Sequence, residues 1–119
     1  MSTDRPLQEP TFLILTALAE RPRHGYGVIT EVQRISDGRV RLRAGTLYGA
    51  LDRLRAEGLV EVDREEVVDT RLRRYYKLTE TGGQRLGAEA DRLRRHADIA
   101  RRRLRAAGHT RYGSAGAGP

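Results

Sequence analysis

Thr46, Tyr48 and Arg53 fall within the stretch Ala44 to Gly58, interleaved with Gly45 and Gly49. These side chains suit contact with a polyanion better than bond-breaking chemistry. A threonine hydroxyl or a tyrosine phenol can hydrogen-bond a phosphate or a base edge. A guanidinium engages phosphate or guanine through two parallel bonds, and glycine lets a backbone come close to a ligand. Arg43 stands just before the stretch, at the end of Arg39-Val40-Arg41-Leu42-Arg43. Those alternating arginines would lie near a phosphate backbone or simply face water. His24 and Tyr26 come earlier, flanked by Gly25 and Gly27, and Arg71, Arg73 and Arg74 form a second basic cluster later. No catalytic constellation accompanies them. There is no Gly-rich phosphate loop, no cysteine nucleophile, and no metal-ligand spacing among His24, His96 and His109. Neither an enzyme activity nor a cofactor or metal is expected.

The elements that must position these residues can be read from apolar spacing. Leu47, Leu51 and Leu54 fall at i, i+4 and i+7 with Ala50 beside them, so a helix buries that face and turns Tyr48, Asp52, Arg53 and Arg55 elsewhere. Gly58 stands where a helix commonly ends in a left-handed residue. Leu59-Val60-Glu61-Val62 then begins an extended run. A short basic helix leading straight into a strand predicts a helix-turn-helix with a β-wing, which sets the helix in the major groove of DNA. Upstream, Phe12 to Ala19 makes a strongly apolar helix opened by Pro10 and stopped before Pro22, and Tyr26 to Ser36 makes a second, ended by Asp37-Gly38. The segment 39–43 reads as a short strand or an extended link.

Downstream, Val60 and Val62 alternate with Glu61 and Asp63, and Arg74 to Leu78 is a second β-like run. Residues 64–73 would then be the wing tip, with an acidic half at Glu65-Glu66 turned from phosphate and a basic half turned towards it. In a hairpin Arg73 and Arg74 point to opposite faces, so one of them faces DNA; Tyr75 and Tyr76 diverge in the same way, and one belongs to the core. Thr79 is the expected N-cap of a long final helix. Its apolar positions Leu86, Ala90, Leu93, Ala97, Ala100, Leu104 and Ala107 follow gaps of 4 and 3, a heptad seam. So small a seam needs another helix close by, which predicts dimerisation through Leu86, Ala90, Leu93, Ala97, Ala100 and Leu104, with Phe12 of the apolar first helix joining in.

Several positions carry two readings. Thr46 is either the cap of its helix or a hydrogen-bond donor to phosphate or base. Tyr48 either contacts phosphate or packs against the second helix. Tyr26 either lies at a phosphate-receiving helix start or anchors the core, and His24 is a turn or phosphate-contact residue. Arg53 reaches a phosphate or belongs to a charged, solvated face.

Composition fits this picture. The chain has 119 residues, one domain with an accessory element, and a net charge of +7 that favours an anionic partner. All of its 23 basic residues but Lys77 are arginine, a bias that a GC-rich genome would also produce. Aromatics make up 5%, with no Trp, which is thin for an aromatic ligand cage. The absence of cysteine fits a reducing cytoplasm. The apolar run Phe12 to Leu15 is far too short to span a membrane, and the N-terminal residues lack the charge-then-apolar pattern of a signal peptide.

The blocks His24-Gly25-Tyr26-Gly27, Gly45-Thr46-Leu47-Tyr48, Leu51-Asp52-Arg53-Leu54 leading to Gly58-Leu59-Val60, and Arg73-Arg74-Tyr75-Tyr76-Lys77-Leu78-Thr79 with Gly82 occur in that order over roughly residues 10 to 86. In this the chain resembles the PadR family of bacterial transcriptional regulators, and its single C-terminal helix is similar to the smaller of that family's two size classes. The resemblance implies a mainly α fold with a small β-hairpin, a winged helix-turn-helix plus a long C-terminal dimerisation helix. It implies a homodimeric repressor on double-stranded DNA, in the cytoplasm, with His24, Tyr26, Arg43, Gly45, Thr46, Tyr48, Gly49, Arg53, Arg71, Arg73 and Arg74 as candidate DNA contacts. Some members release DNA when a phenolic acid or planar drug binds at the dimer interface, in some cases against a Trp of the final helix. Here Leu93 and the alanine seam would line that space instead. The expected organisation is a flexible arm over 1–9, a winged helix over 10–78, a dimerisation helix over 79–108 and a disordered tail over 109–119. The competing expectation is a winged-helix module for non-specific nucleic-acid or protein binding, with no discrete operator.

Overall fold

The computed structural model describes residues 5–108; residues 1–4 of the expected arm and the whole expected tail, 109–119, lie outside the described residues. The elements run α1 (Glu9–Ala19), β1 (Arg23–His24), α2 (Gly25–Ile35), α3 (Ala44–Ala56), β2 (Val60–Val68), β3 (Arg71–Leu78) and α4 (Glu80–Ala106). The chain divides into two compact units, one up to Gly87 and one from Ala88 onward.

In the first unit α1 buries Leu13, Ile14, Leu15, Ala17 and Leu18 against Val28 and Val32 of α2, Leu47, Ala50, Leu51 and Leu54 of α3, and Leu59, Val60 and Tyr76 of the sheet side. Pro10 lies in the first turn of α1, where its missing N–H is no loss. Residues 5–8 of the expected arm are placed: Leu7 packs half-buried on the core, and the Arg85 guanidinium donates to the Arg5 carbonyl at 2.9 Å. α2 ends at Asp37 and Gly38, both at positive φ (54° and 81°), with the Gly38 N–H donating to the Gln33 carbonyl at 2.7 Å. Segment 39–43 is an extended link: Val40 and Leu42 pack on the core while Arg39, Arg41 and Arg43 stay exposed.

The sheet has three strands in the order β1-β3-β2, all antiparallel. β1 is only two residues long, pairing Arg23 with Tyr76 and His24 with Tyr75, and ties the start of α2 to the base of the wing. Strands β2 and β3 continue past it as a hairpin, closed by Asp69 and Thr70 at φ 52° and 63°. Two consecutive left-handed residues match the type I′ geometry whose twist suits a two-residue hairpin. The expected wing tip over 64–73 is therefore corrected. Glu65, Glu66 and Arg73 belong to the ladder, and the tip is Asp69-Thr70. The ladder shifts once, between Val62 and Arg64, where Asp63 is the extra residue.

Thr79 fastens the start of α4 to the α3–β2 turn. Its hydroxyl accepts from the Gly82 N–H at 2.9 Å and donates to the Gly58 carbonyl at 2.6 Å. The approach is close enough that a β-carbon at Gly82 would lie 2.9 Å from the carbonyl carbon of Leu59. In the second unit, from Ala88, the helix is polar and mostly exposed; Glu89 is buried and pairs with Arg92. Among the described residues no helix is long and apolar enough to cross a membrane.

Candidate nucleic-acid interface

The burial of α3 decides what its other side can do. Leu47 and Leu51 are fully buried and Leu54 nearly so, which turns Gly45, Gly49 and Asp52 outward with Thr46 and Arg53 on one flank and Tyr48 and Arg55 on the other. Among the described residues nothing lies within 4 Å of where a β-carbon would stand at Gly45 or Gly49, so the helix backbone is open to an incoming surface there. Thr46 does not cap the helix. The N-cap is Arg43, whose side chain makes no capping bond, and Thr46 sits exposed within the first turn because the helix starts three residues earlier than a threonine cap requires. Arg53 reaches back to α1, its guanidinium 3.5 Å from the Thr11 hydroxyl.

Tyr48 packs across the start of α2. A β-carbon at Gly25 would fall 2.6 Å from its Cζ, so the glycine makes room for the phenol, and the ring remains 44% exposed. Tyr26 is 73% exposed, which rules out its reading as a core anchor. The tyrosine that does enter the core is Tyr76, while Tyr75 stays at the sheet surface.

His24 joins these pieces. Its Nδ1 accepts the Gly27 N–H at 3.2 Å and so caps α2, and its ring meets Tyr75 edge-on at 5.4 Å. Burial, followed by the nearby charge of Arg73, holds its pKa below the ordinary imidazole value. The acceptor role requires neutral Nδ1, so the cap and the lowered pKa agree.

Within the distal wing ion pairs across and along the strands sort its charges. Arg74 bonds Glu65 at 2.7 Å. Arg64 lies 3.9 Å over the Tyr75 ring and bonds Asp63 at 2.9 Å and Glu66 at 3.0 Å, which holds the Glu66 carboxyl below its usual range. Arg71 and Arg73 have no ion-pair partner among the described residues. Of the three wing arginines singled out in the sequence, Arg74 is thus already engaged in an ion pair; Arg71 and Arg73 form none among the described residues, although Arg73 stands across the ladder from Glu66. Arg64, absent from the sequence reading, is the residue that spends a positive charge locally.

His24, Tyr26, Tyr48, Arg71, Arg73 and Arg74, together with Val68, Asp69 and Leu72, line one cleft of about 590 Å³. Arg43, Gly45, Thr46, Gly49 and Arg53 are exposed on or beside α3 and are not among its lining. The cleft is basic on the wing side and aromatic on the helix side. No group of carboxylates, histidines or cysteines able to hold a metal occurs among the described residues.

The residues expected at a dimer seam divide between the units. Phe12 and Leu86 pack half-buried on the core of the first unit. In the second, Ala90, Ala97 and Ala100 are exposed, Leu93 is 41% exposed and Leu104 is half-buried. Ile99, 40% exposed, lies off the heptad spacing and was missed for that reason.

Comparison with known proteins bears on the same residues. The family described as "Transcriptional regulator PadR-like family" matches residues 14–88, from α1 through the wing into α4. The transcriptional regulator Rv3488 of Mycobacterium tuberculosis is 38% identical over 97 residues, spanning 82% of this chain and 84% of that protein. An uncharacterized 37.1 kDa protein of a Streptomyces fradiae transposon is 39% identical over 83 residues; the match covers 70% of this chain but only 22% of that longer protein. A PadR family regulator from Clostridium difficile shares the fold with a TM-score of 0.68 at 23% identity, over 82% of this chain and 99% of that one. Bacillus subtilis PadR, solved with operator DNA, does so at 0.61 and 22%, over 68% of this chain and 46% of that one. A match running through the core helices, the wing and the start of α4, together with a relative aligned over most of its length, establishes that the chain belongs to the PadR-like family of transcriptional regulators.

Proposed function

We propose that this chain is a sequence-specific DNA-binding regulator that occupies a palindromic operator as a homodimer and represses transcription in the cytoplasm. The observation that carries the reading is the pairing of a bare helix face at Gly45 and Gly49 with two exposed arginines, Arg71 and Arg73, that form no ion pair among the described residues, on the neighbouring wing. The open face of α3 enters the major groove, where Thr46 and the exposed edge of Tyr48 meet base edges or phosphate. Arg43, Arg53, Arg71 and Arg73 meet the phosphate backbone, which supplies most of the affinity and its salt dependence. Two copies joined through α4 set their recognition helices roughly 34 Å apart, one turn of DNA. The operator complex of Bacillus subtilis PadR supports this reading by fold. A small apolar effector at the α4 interface, against Leu93 and the alanines, releases the DNA.

The test is a titration of the purified protein against duplex DNA from upstream of its own gene and against a shuffled duplex, at two salt concentrations. Binding at least ~10³-fold tighter to the native fragment supports an operator-specific regulator. Equal, salt-sensitive binding to both overturns it in favour of a non-specific module.

A further inference from the structure

Val67 and Leu72 are directly paired across the wing, one step in from the Asp69-Thr70 turn, and are 74% and 62% exposed. Among the described residues they are the two most exposed of the large aliphatic side chains at the surface. Among the described residues no core lies beneath them, since the buried cluster and the residues packed on it include nothing between 63 and 75. Packing on a core therefore does not explain them, and beyond their contact with each other a charged or hydroxylated pair would close the same hairpin and protect its edge better.

Their surroundings indicate what covers them. Pairing puts Val67 and Leu72 on the face shared by the Glu65–Arg74 ion pair, so the charge beside them is neutralised. Arg71 and Arg73, which form no ion pair among the described residues, stand on the opposite face of the same strand, with Glu66 across from Arg73. Beyond Tyr75 the free edge of β3 has no strand neighbour, and residues of both faces, Arg71, Leu72, Arg73 and Arg74, border the same cleft. A partner meeting this edge must offer anionic groups to one face and apolar surface to the other within a few ångströms. The minor groove of a DNA duplex does so, with phosphates along its rim and deoxyribose carbons along its walls, and apolar side chains inserted there are an established way of holding DNA.

Resting on the reading of the protein as a DNA-binding regulator, we infer that the Val67–Leu72 pair packs against the deoxyribose wall of the minor groove while Arg71 and Arg73 hold its phosphates. The wing then makes two separable contributions: a charged one that salt screens, and an apolar one that salt leaves intact.

The experiment compares V67S/L72S with Arg71→Gln and the unaltered protein on the native upstream duplex over a series of salt concentrations, with thermal unfolding to confirm that each variant folds. Because both apolar side chains are exposed, V67S/L72S is expected to unfold like the parent. Its affinity should fall about tenfold, as loss of part of the burial of two aliphatic side chains implies, with an unchanged slope of log affinity against log salt. Arg71→Gln should lower that slope by about one. Undiminished affinity of V67S/L72S on a duplex that the parent binds overturns the inference and leaves the regulator reading standing. So does a change in its self-association without a change in DNA affinity, which would assign the pair to a protein contact. Failure of the parent itself to prefer the native duplex counts against the regulator reading instead.

Discussion

α3 seals Leu47, Leu51 and Leu54 into the core and leaves Gly45 and Gly49 without a neighbour among the described residues on its outer side. The distal wing has no core beneath it and keeps its shape through the β2–β3 ladder, two groups of ion pairs and the Arg64–Tyr75 stack. The helix is held rigid by what it hides, and its readable face is stripped of bulk. The wing is held by what it displays, and its charges are mostly spent on one another. The two regions should therefore fail differently: damage to the helix removes the fold, whereas damage to the wing removes affinity by degrees.

The largest expected effect tests the helix side. Leu51→Ala opens a cavity at a fully buried position and should lower unfolding free energy by about 2–5 kcal/mol, read by urea denaturation. A loss under 1 kcal/mol would mean that α3 is not anchored as described. Next, Gly82→Ala drives a methyl into the Leu59 carbonyl, a backbone group that cannot swing away, and should cost about 1–3 kcal/mol in the same assay. An unchanged midpoint would show that the junction of α4 with the α3–β2 turn can shift freely.

On the wing, Arg73→Gln should reduce the salt slope of DNA binding by about one unit with no loss of thermal stability, while Arg74→Gln should move the slope less, because Glu65 already neutralises that charge. Equal slopes for the two variants would erase the distinction between spent and unspent arginines.

The smallest effect concerns His24, where helix and wing meet. Its folded pKa lies below the unfolded value, so the unfolded chain takes up the proton first and stability falls as pH drops below about 6.5. The loss levels off once the folded form is protonated too, and above neutrality the contribution is complete. His24→Asn keeps an oxygen acceptor for the Gly27 N–H and has no titrating group, so it should flatten the dependence of Tm on pH between 7 and 5. A slope equal to that of the parent would place the pH dependence elsewhere.

What the sequence disclosed follows this division. The helices were legible because burial leaves a period, and Leu47, Leu51 and Leu54 all proved buried. The wing was only partly legible. Glu65, Glu66, Arg73 and Arg74 have the composition of a loop, yet they pair across the ladder, Glu65 with Arg74 and Glu66 with Arg73. A hairpin without a core beneath it does not have to alternate apolar and polar residues, so periodicity gives no warning. Reading opposite charges at mirror-image distances from Asp69-Thr70 would have found the register. β1 escaped because two residues carry no period at all. The contact between Tyr48 and Gly25 escaped because it is a fact of distance between helices, and the matching glycine is visible only once the phenol is placed.

Asp69 and Thr70 carry one more consequence. Both hold a left-handed backbone that a side chain disfavours, and a β-branched residue such as Thr70 disfavours it strongly. The hairpin therefore closes on its least comfortable residues, at the point farthest from the core. Its last rungs are the ones whose amide protons should exchange with solvent first, well ahead of those in α1 or α3. The wing would meet its target already in register but loosely latched, so that an order parameter measured at the tip, rather than any contact at its base, reports whether the partner has arrived.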